Sequence, residues 1–305
     1  MTHAQKRNHW NRKAMAYAFI VPSLLIVGIV VVFPIVYTGI ISFTNMSLYH
    51  WSDYSFVGWK NYAKTLFATN SAFWGALGTT VIWTVANMVL QIGAGFFIAL
   101  ALNAKGLKGR RVYKTLLMVP WAMPSYVSIL IWRVGIYNTQ FGVLNKFLGL
   151  MGLGRINYLA SNVPAFFSCL LLNLWMALPF MITMMDGAMQ SVDRSLYDSA
   201  QMDGCGYLRA QWEVTVPAIS RIMMPAVVMT TFTTFKQFDI VYLLTMQKGS
   251  LTGSTLQTII TYAHSQAFVT NNYGLSSAVS IVIFFIIIAF FLALNRSNRS
   301  LREEK

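Results

Sequence analysis

The chain has 305 residues, of which 56% are hydrophobic and 10% charged, and its formal net charge is +14. Soluble domains carry about 25% charged residues, so this composition excludes an ordinary water-soluble domain and indicates a membrane protein. A basic net charge can also indicate nucleic-acid binding, but here the basic residues lie between hydrophobic runs rather than along one soluble face. We therefore expect membrane lipid as a partner, and no nucleic acid.

Six hydrophobic runs are long enough to cross a bilayer. We expect all six to be helical, because lipid offers the backbone no hydrogen-bond partners. The first run follows the basic segment MTHAQKRNHWNRK and is too long for the core of a signal peptide, so we interpret it as a retained span. The predicted spans cover residues 14–43, 77–102, 112–132, 163–185, 219–244 and 276–294.

The basic residues fall mainly on one side of these spans. Sixteen of the 23 Lys and Arg residues lie before the first span, or in or next to the segments after the second, fourth and sixth, whereas five lie in the other loops. Because cytoplasmic loops are enriched in Lys and Arg, both termini are predicted to be cytoplasmic. The sequence thus divides into a cytoplasmic tail (1–13), a six-helix membrane domain (14–295) with a cytoplasmic loop (187–217) between helices 4 and 5, and a second cytoplasmic tail (296–305).

The stretch SLYDSAQMDGCGYLRAQWEVTVP, residues 195–217, interrupts this apolar pattern. It is typical of two short helices joined by a turn: Asp193 is a candidate N-cap, Gly204 suits a left-handed residue that ends the first helix, and Pro217 is expected to close the second. Small side chains at Ser199 and Ala200 would allow another protein to approach closely. A solvated loop with ordinary caps explains the same residues, and both interpretations stay open on physical grounds.

Polar residues also occur inside two predicted spans, where they tend to face a bundle interior or a cavity. In TTFTTFKQFD (230–239) the side chains of Thr233, Thr234 and Gln237 are expected to share one helical face. The other segment, NLWMALPFM (173–181), combines an amide and aromatic rings with a proline that can kink the helix. Hydroxyls, amides and aromatic rings suit a sugar, although hydrogen bonding between helices is the alternative. Lys236 and Asp239 could pair with each other.

Catalytic and metal-binding patterns are not found. No G-x-x-x-x-G-K-[ST] motif is present, so the chain is not expected to bind ATP as a P-loop protein. The four histidines lack metal-ligand spacing, and Cys169 and Cys205 fit neither a disulfide framework nor a zinc site. We therefore expect a non-catalytic protein without metal or cofactor.

Residues 197–217, YDSAQMDGCGYLRAQWEVTVP, resemble the EAA loop of permease subunits from binding-protein-dependent ABC importers. Asp198, Ser199 and Ala200 match the head of that motif, with Asp in place of Glu and Ser in place of Ala; Gly204 matches its glycine and Pro217 its end. Five further segments resemble carbohydrate permeases of this family: FVGWKNYAKTL, VPWAMPSYVSILIW, FGVLNKFLGLMGL, FDIVYLLT and YGLSSAVSIVIF. The run from Pro120 to Leu148 is most similar to the maltose/maltodextrin-type subunit. The segment LTMQKGS departs from the family's Thr-Gly-Gly-Pro turn.

The resemblance implies an all-α fold of six transmembrane helices with a coupling helix, in the cytoplasmic (inner) membrane of a bacterium or archaeon. It implies three kinds of partner: a cytoplasmic ABC ATPase dimer, a second homologous permease subunit and an extracytoplasmic sugar-binding protein. The residues implied in coupling to the ATPase are Tyr197, Asp198, Ser199, Ala200, Asp203, Gly204 and Pro217. Those implied in binding a maltose-like sugar or oligosaccharide are Met176, Ala177, Phe180, Thr233, Thr234 and Gln237.

Two other classes of function compete with this one. A secondary transporter driven by an ion gradient would show inverted repeats and intramembrane acids, but no repeat is visible and Asp239 is the only acid identified near the middle of a span. A membrane enzyme would need clustered His, Asp or Glu at a membrane face. The sequence therefore predicts one permease half of an ATP-driven sugar importer.

Overall fold

The protein is described by a computed structural model, which covers residues 15, 17–68, 72–104, 106–245 and 256–303, with side chains up to residue 293. The predicted tail 1–13 and most of the LTMQKGS segment lie outside these residues. Within them the chain is helical apart from its loops and one isolated bridge between Thr44 and Phe56. The helices are α1 (Tyr17–Ile41), α2 (Lys60–Phe67), α3 (Phe73–Leu102), α4 (Arg110–Ala122), α5 (Ser125–Ile136), α6 (Val143–Leu150), α7 (Asn162–Gln190), α8 (Arg194–Met202), α9 (207–235), α10 (Asp239–Thr245), α11 (Ile259–Phe268) and α12 (Tyr273–Glu303).

Among the described residues, five helical segments are long and apolar enough to cross a membrane, and a sixth crossing is possible if α4 and α5 count as one. The span predicted at 112–132 is not a single straight helix, because α4 and α5 meet at a bend of 92°. The break follows from Pro124: a residue before proline is pushed toward extended backbone, and Met123 has φ −83° and ψ 139°. The six predicted spans are thus present as five helical segments and one bent pair.

Helix α12 continues to Glu303, so residues 296–303 of the predicted tail are helical, and their cytoplasmic position stays a prediction. Two other predictions are wrong. Helix α7 continues to Gln190, so residues 187–190 belong to a helix and not to the loop predicted at 187–217. The fifth span is not one helix from 219 to 244, because the helical structure ends at Phe235 and restarts at Asp239.

The chain forms two compact units, residues 1–73 with 263–305 and residues 74–262. In the first unit, α12 packs against α1 and α2. The segment FVGWKNYAKTL is hydrogen-bonded to the residues that follow α1. Asn61 donates to the backbone oxygens of Ser42 (2.9 Å) and Thr44 (2.8 Å), and the Tyr62 hydroxyl lies 2.6 Å from the Ser42 hydroxyl.

In the second unit, α3 and α7 run in the same direction with a constant register. Asn173 donates to Asn87 (2.5 Å), a Cβ added at Gly95 would lie 2.9 Å from Met181, and the Asn103 amide lies 3.9 Å from the Met189 sulfur. Each pair is separated by 86 residues, so the two helices are aligned over four turns. Because the helices are parallel, the segment between them must return the chain to its starting level, which supports counting α4 and α5 as one crossing.

Two apolar clusters fill the second unit. One surrounds Trp83, Ile129 and Leu172, and the other surrounds Phe96, Met181 and Met223. The segment FGVLNKFLGLMGL contributes α6, where buried Asn145 donates to the oxygens of Asn138 (3.1 Å) and Ile156 (2.9 Å). The Asn145 side chain therefore links two distant parts of the connection between α5 and α7.

Candidate functional site: an intramembrane cavity and a projecting elbow

A cavity of about 420 Å³ opens beside α7 where α9 ends and α10 begins. Its volume lies within the range of small-molecule sites, about 300–1,000 Å³. Polar side chains make up much of its lining, although it lies between apolar membrane segments. The lining residues are Asn173, Ala177, Thr230, Thr233, Thr234, Lys236, Gln237, Phe238 and Asp239.

The chain is not helical between α9 and α10. The amides of Lys236 and Gln237 donate to Phe232 (3.2 Å) and Thr234 (3.2 Å), and regular structure resumes at Asp239. Non-helical backbone at membrane depth is tolerated only where it is buried in protein or lines a water-filled cavity. This break lines the cavity, so its position indicates access to water.

The cavity contains four of the six residues predicted to bind sugar: Ala177, Thr233, Thr234 and Gln237. The prediction that Gln237 extends the helical face of the two threonines is wrong, because Gln237 lies beyond the end of α9 and reaches the cavity from the break. The other two predicted residues do not line it. Met176 packs against the Trp83 cluster and Phe180 against the Phe96 cluster.

Three lining side chains, those of Lys236, Gln237 and Asp239, form no hydrogen bond or ion pair within the described part of the chain. The predicted Lys236–Asp239 pair is therefore not formed. These groups place a cation, an amide and an anion around one cavity, which matches a hydroxyl-rich ligand able to both donate and accept hydrogen bonds.

The wall behind the cavity is also polar. Asn173 donates to Asn87, which in turn donates to the Trp83 oxygen (2.8 Å), so the amide of Asn173 is fixed by a chain of hydrogen bonds. One turn further along α3, Gln91 is fully buried and neither polar atom of its side chain has a partner among the described residues. The α3–α7 register places Gln91 opposite Ala177, a lining residue.

The second candidate region is the elbow, which we define as the cap residue Asp193, α8, its following turn and the start of α9 (193–217). Asp193 caps α8 as predicted, since its carboxylate accepts from the Ser195 amide (3.0 Å). This bond holds the pKa of Asp193 below its ordinary value, so the cap is charged at neutral pH. The charge also suits the positive end of the helix dipole.

The turn after α8 has the geometry of a Schellman motif. Gly204 is left-handed with φ +76°, as predicted. Its amide donates to Gln201 (3.0 Å), and the amide of Cys205 donates to Ala200 (2.9 Å). The local sequence around Gly204 therefore determines the conformation of the turn after α8.

The second arm of the elbow is not closed by Pro217, so that prediction is wrong. Tyr207–Ala210 runs through a π-helical turn, Gln211–Thr215, directly into Val216–Phe235. Pro217 directly follows the π-helical turn, and the helix continues through it although proline lacks an amide hydrogen. One continuous helix thus connects the elbow to the cavity.

The coupling residues predicted from the resemblance differ in exposure. Asp198, Ser199, Asp203, Gly204 and Pro217 are exposed, whereas Tyr197 and Ala200 are half-buried. Tyr197 is used internally: its hydroxyl lies 2.8 Å from the Thr215 hydroxyl, which donates to Gln211 (2.7 Å). Large apolar side chains are nonetheless exposed on the elbow, at Leu196, Met202, Tyr207, Leu208 and Trp212.

A buried carboxylate, Asp186, forms a third polar cluster that the sequence analysis missed. Oδ1 accepts from Arg110 (2.6 Å) and Asn103 (2.8 Å), and Oδ2 accepts from Lys114 and from Gln190 (2.8 Å). A charged aspartate inside a membrane helix is costly unless it is paired, and these four donors offset that cost. The spacing of Asp186 and Gln190, one helical turn apart, was the only sequence signal. Within the described residues, no group of three or more His, Cys, Asp or Glu could hold a metal ion.

Comparison with known proteins identifies the class of protein that this cavity and elbow belong to. Residues 91–303 match the family described as binding-protein-dependent transport system inner membrane component. The chain belongs to this family.

Its relatives are permeases. It is 30% identical over 300 residues to the galactooligosaccharides transport system permease protein of Bacillus subtilis, covering 94% of this chain and 71% of that protein. It is 29% identical to the trehalose/maltose transport system permease protein of Thermococcus litoralis, covering 95% of each. A crystal structure of a bacterial alginate ABC transporter, in complex with a pentasaccharide-bound periplasmic protein, contains a chain of the same fold, with a TM-score of 0.83, 19% identity and coverage of 96% and 97%.

These comparisons confirm the predicted family and the all-helical permease fold. The family consists of membrane components of transport systems, so membership favours a transport subunit over a membrane enzyme. It also favours a component that works with a binding protein over a self-sufficient transporter driven by an ion gradient.

Proposed function

We propose that this chain is one permease subunit of an ATP-driven, binding-protein-dependent carbohydrate importer. The observation that carries the proposal is the polar cavity next to a helix break within the family-matched region. Related permeases are named for galactooligosaccharides, trehalose and maltose. Sugars need several donors and acceptors at once, and the lining supplies both.

The sugar would contact Ala177, Thr233, Thr234 and Gln237, with Asn173 as a further polar group. The Thr233 hydroxyl donates to the Thr230 oxygen (2.9 Å), which leaves its own oxygen as an acceptor. Because Lys236 and Asp239 have opposite charges, the site suits a neutral sugar. Met176 and Phe180 would act indirectly, by shaping α7 from the two apolar clusters.

The elbow would be the coupling helix that docks to a cytoplasmic ABC ATPase dimer. The cap at the start of α8 helps to fix its shape. Its exposed apolar side chains offer a surface for contact with another protein. Asp198, Ser199, Asp203 and Gly204 would lie at the docking surface, and Pro217 near it. Tyr197 and Ala200 would support that surface from behind. Lys and Arg enrichment on this side supports a cytoplasmic position for the elbow and both termini of this multi-pass protein.

The other proposed partners are a second, homologous permease subunit and an extracytoplasmic sugar-binding protein. This chain would form half of the translocation pathway and would not bind ATP itself. The alginate transporter, whose structure includes a periplasmic binding protein, supports this arrangement by its shared fold.

The first test is to purify the chain in mild detergent from its native membrane and to identify the co-purifying proteins by mass spectrometry. We expect an ABC ATPase and a second permease at fixed stoichiometry. The complex is then reconstituted with its binding protein into vesicles containing ATP, and uptake of radiolabelled maltose, trehalose and galactobiose is measured. A chain that purifies alone and takes up these sugars only under an ion gradient would contradict the proposal.

A further inference from the structure

Asp186 lies where three segments of the second unit meet. Its carboxylate is bonded to Asn103, which follows α3, and to Arg110 and Lys114 on α4. Asn103 also accepts from Arg110 (2.7 Å), so the α3 and α4 partners of the carboxylate are bonded to each other. The Asp186 side chain is only 7% exposed. This one carboxylate therefore ties α4 and the end of α3 to α7.

Helix α7 connects Asp186 to both candidate regions. Ala177 in the cavity lies nine residues before Asp186, about 14 Å along the helix. In the other direction, α7 ends at Gln190, and Asp193 caps α8 of the elbow. A displacement of α8 must therefore act on the end of α7 at which Asp186 is bonded.

Helix α4 leads to the opposite wall of the cavity. It bends into α5, and Arg133 of α5 donates to the Leu243 oxygen of α10 (2.9 Å). Helix α10 begins at Asp239, a lining residue. Two paths thus run from Asp186 to the cavity, one along α7 and one through α4, α5 and α10.

We propose that Asp186 is a positioning residue for transport: it makes α4 and α7 move as one body, so that a displacement of the elbow reaches both walls of the cavity together. This inference rests on the proposed function. Without the carboxylate, Arg110 and Lys114 are left without their anion, and only side-chain packing holds α4 against α7.

The test uses the complete complex in vesicles, with wild type and Asp186→Asn compared at equal amounts of assembled complex. Sugar uptake, with maltose, trehalose and galactobiose as probes, and phosphate release are measured in the same samples. We expect Asp186→Asn to reduce sugar taken up per ATP hydrolysed at least tenfold, with ATP hydrolysis changed less than threefold. A merely structural role would lower both rates in proportion to the folded protein. Rescue of the ratio to at least half by Asp186→Glu would show that the carboxylate is required.

Lys114→Met is a second test that still applies if the Asp186→Asn complex does not assemble. Lys114 is 36% exposed, and its loss leaves three donors on Asp186, so Lys114→Met is expected to assemble and to lower the ratio about threefold. Arg111→Gln is the matched control. It removes a neighbouring, exposed cation that makes no ion pair among the described residues, and the ratio should stay within 1.5-fold of wild type.

The outcomes separate the two proposals. If wild type transports none of the probes with ATP, the proposed function is wrong, and this inference with it. If wild type couples ATP hydrolysis to uptake and the Asp186 and Lys114 variants keep the same ratio, only the inference about Asp186 is overturned.

Discussion

The elbow and the cavity are both polar interruptions of an apolar chain, but their polar groups are used differently. In the elbow they are bonded to one another over short sequence distances: Asp193 with Ser195, Arg209 with Glu213 (2.7 Å), and Tyr197 with Thr215. In the cavity, Lys236, Gln237 and Asp239 have no such partner within the described part of the chain.

This difference indicates different tasks. Internal pairing fixes the shape of the elbow, whose large apolar side chains stay exposed. Under the proposed function these side chains contact the ATPase. Unpaired groups in a membrane are costly unless water or a ligand satisfies them. The cavity groups are thus available to a ligand, whereas the elbow groups are already committed to structure.

The largest expected effect comes from breaking the elbow with Gly204→Val. A left-handed residue other than glycine costs about 1–2 kcal/mol, and more when it is β-branched. We expect the chain to insert and the complex to assemble, but ATP-driven uptake to fall at least tenfold. Uptake into vesicles, normalised to assembled complex, checks this.

Gly206→Val is the matched control for that experiment. Gly206 has φ −70° and ψ 162°, which valine adopts readily, and a Cβ there would meet open space. Uptake should stay within twofold of wild type. Equal uptake by both variants would show that the left-handed turn is not needed for coupling.

A smaller effect is expected at the cavity from Gln237→Leu. Losing one hydrogen bond to substrate costs about 1 kcal/mol, or about a fivefold rise in the apparent KM for sugar. Assembly and ATP hydrolysis without sugar should not change. Gln140→Leu, in the exposed connection after α5, is the matched control and should leave the apparent KM unaltered. Wild-type uptake kinetics in Gln237→Leu would refute a sugar contact there.

The sequence predicted the elbow in more detail than the cavity, and the reason is physical. The cap at Asp193 and the left-handed turn at Gly204 depend on neighbours within six residues, so local patterns reveal them. Pro217 was misinterpreted because proline inside a helix normally breaks or kinks it, whereas here the helix continues through Pro217. Its role depended on the π-helical turn before it, which no local pattern marks.

Residues that depend on distant partners were predicted less well. Gln237 was assigned to a helical face because the helix was assumed to continue past Phe235. Asp186 was overlooked because three of its four donors, Asn103, Arg110 and Lys114, lie 72–83 residues earlier in the chain. The crossing at 112–132 was predicted as one span, since hydropathy measures length and apolarity but not a 92° bend.

The smallest expected effect on uptake comes from the wall behind the cavity, where Asn87 and Gln91 lie one turn apart on α3 and are both fully buried. Asn87 has partners, and Gln91 has none within the described residues. Asn87→Leu should lower thermal stability, because interhelical hydrogen bonds in membranes contribute about 0.6–2 kcal/mol. Gln91→Met should raise it, because removing an unsatisfied buried amide recovers about 1–3 kcal/mol of desolvation.

The signs of these two changes distinguish structure from ligand binding. Unfolding midpoints of the purified complex should shift by a few degrees in opposite directions, and uptake by Gln91→Met should stay within twofold of wild type. If Gln91→Met instead lowers uptake while raising stability, the Gln91 amide serves the ligand in another state of the transport cycle. The cavity would then extend past Ala177 into the α3–α7 interface, and the group without a partner would belong to the site and not to the scaffold.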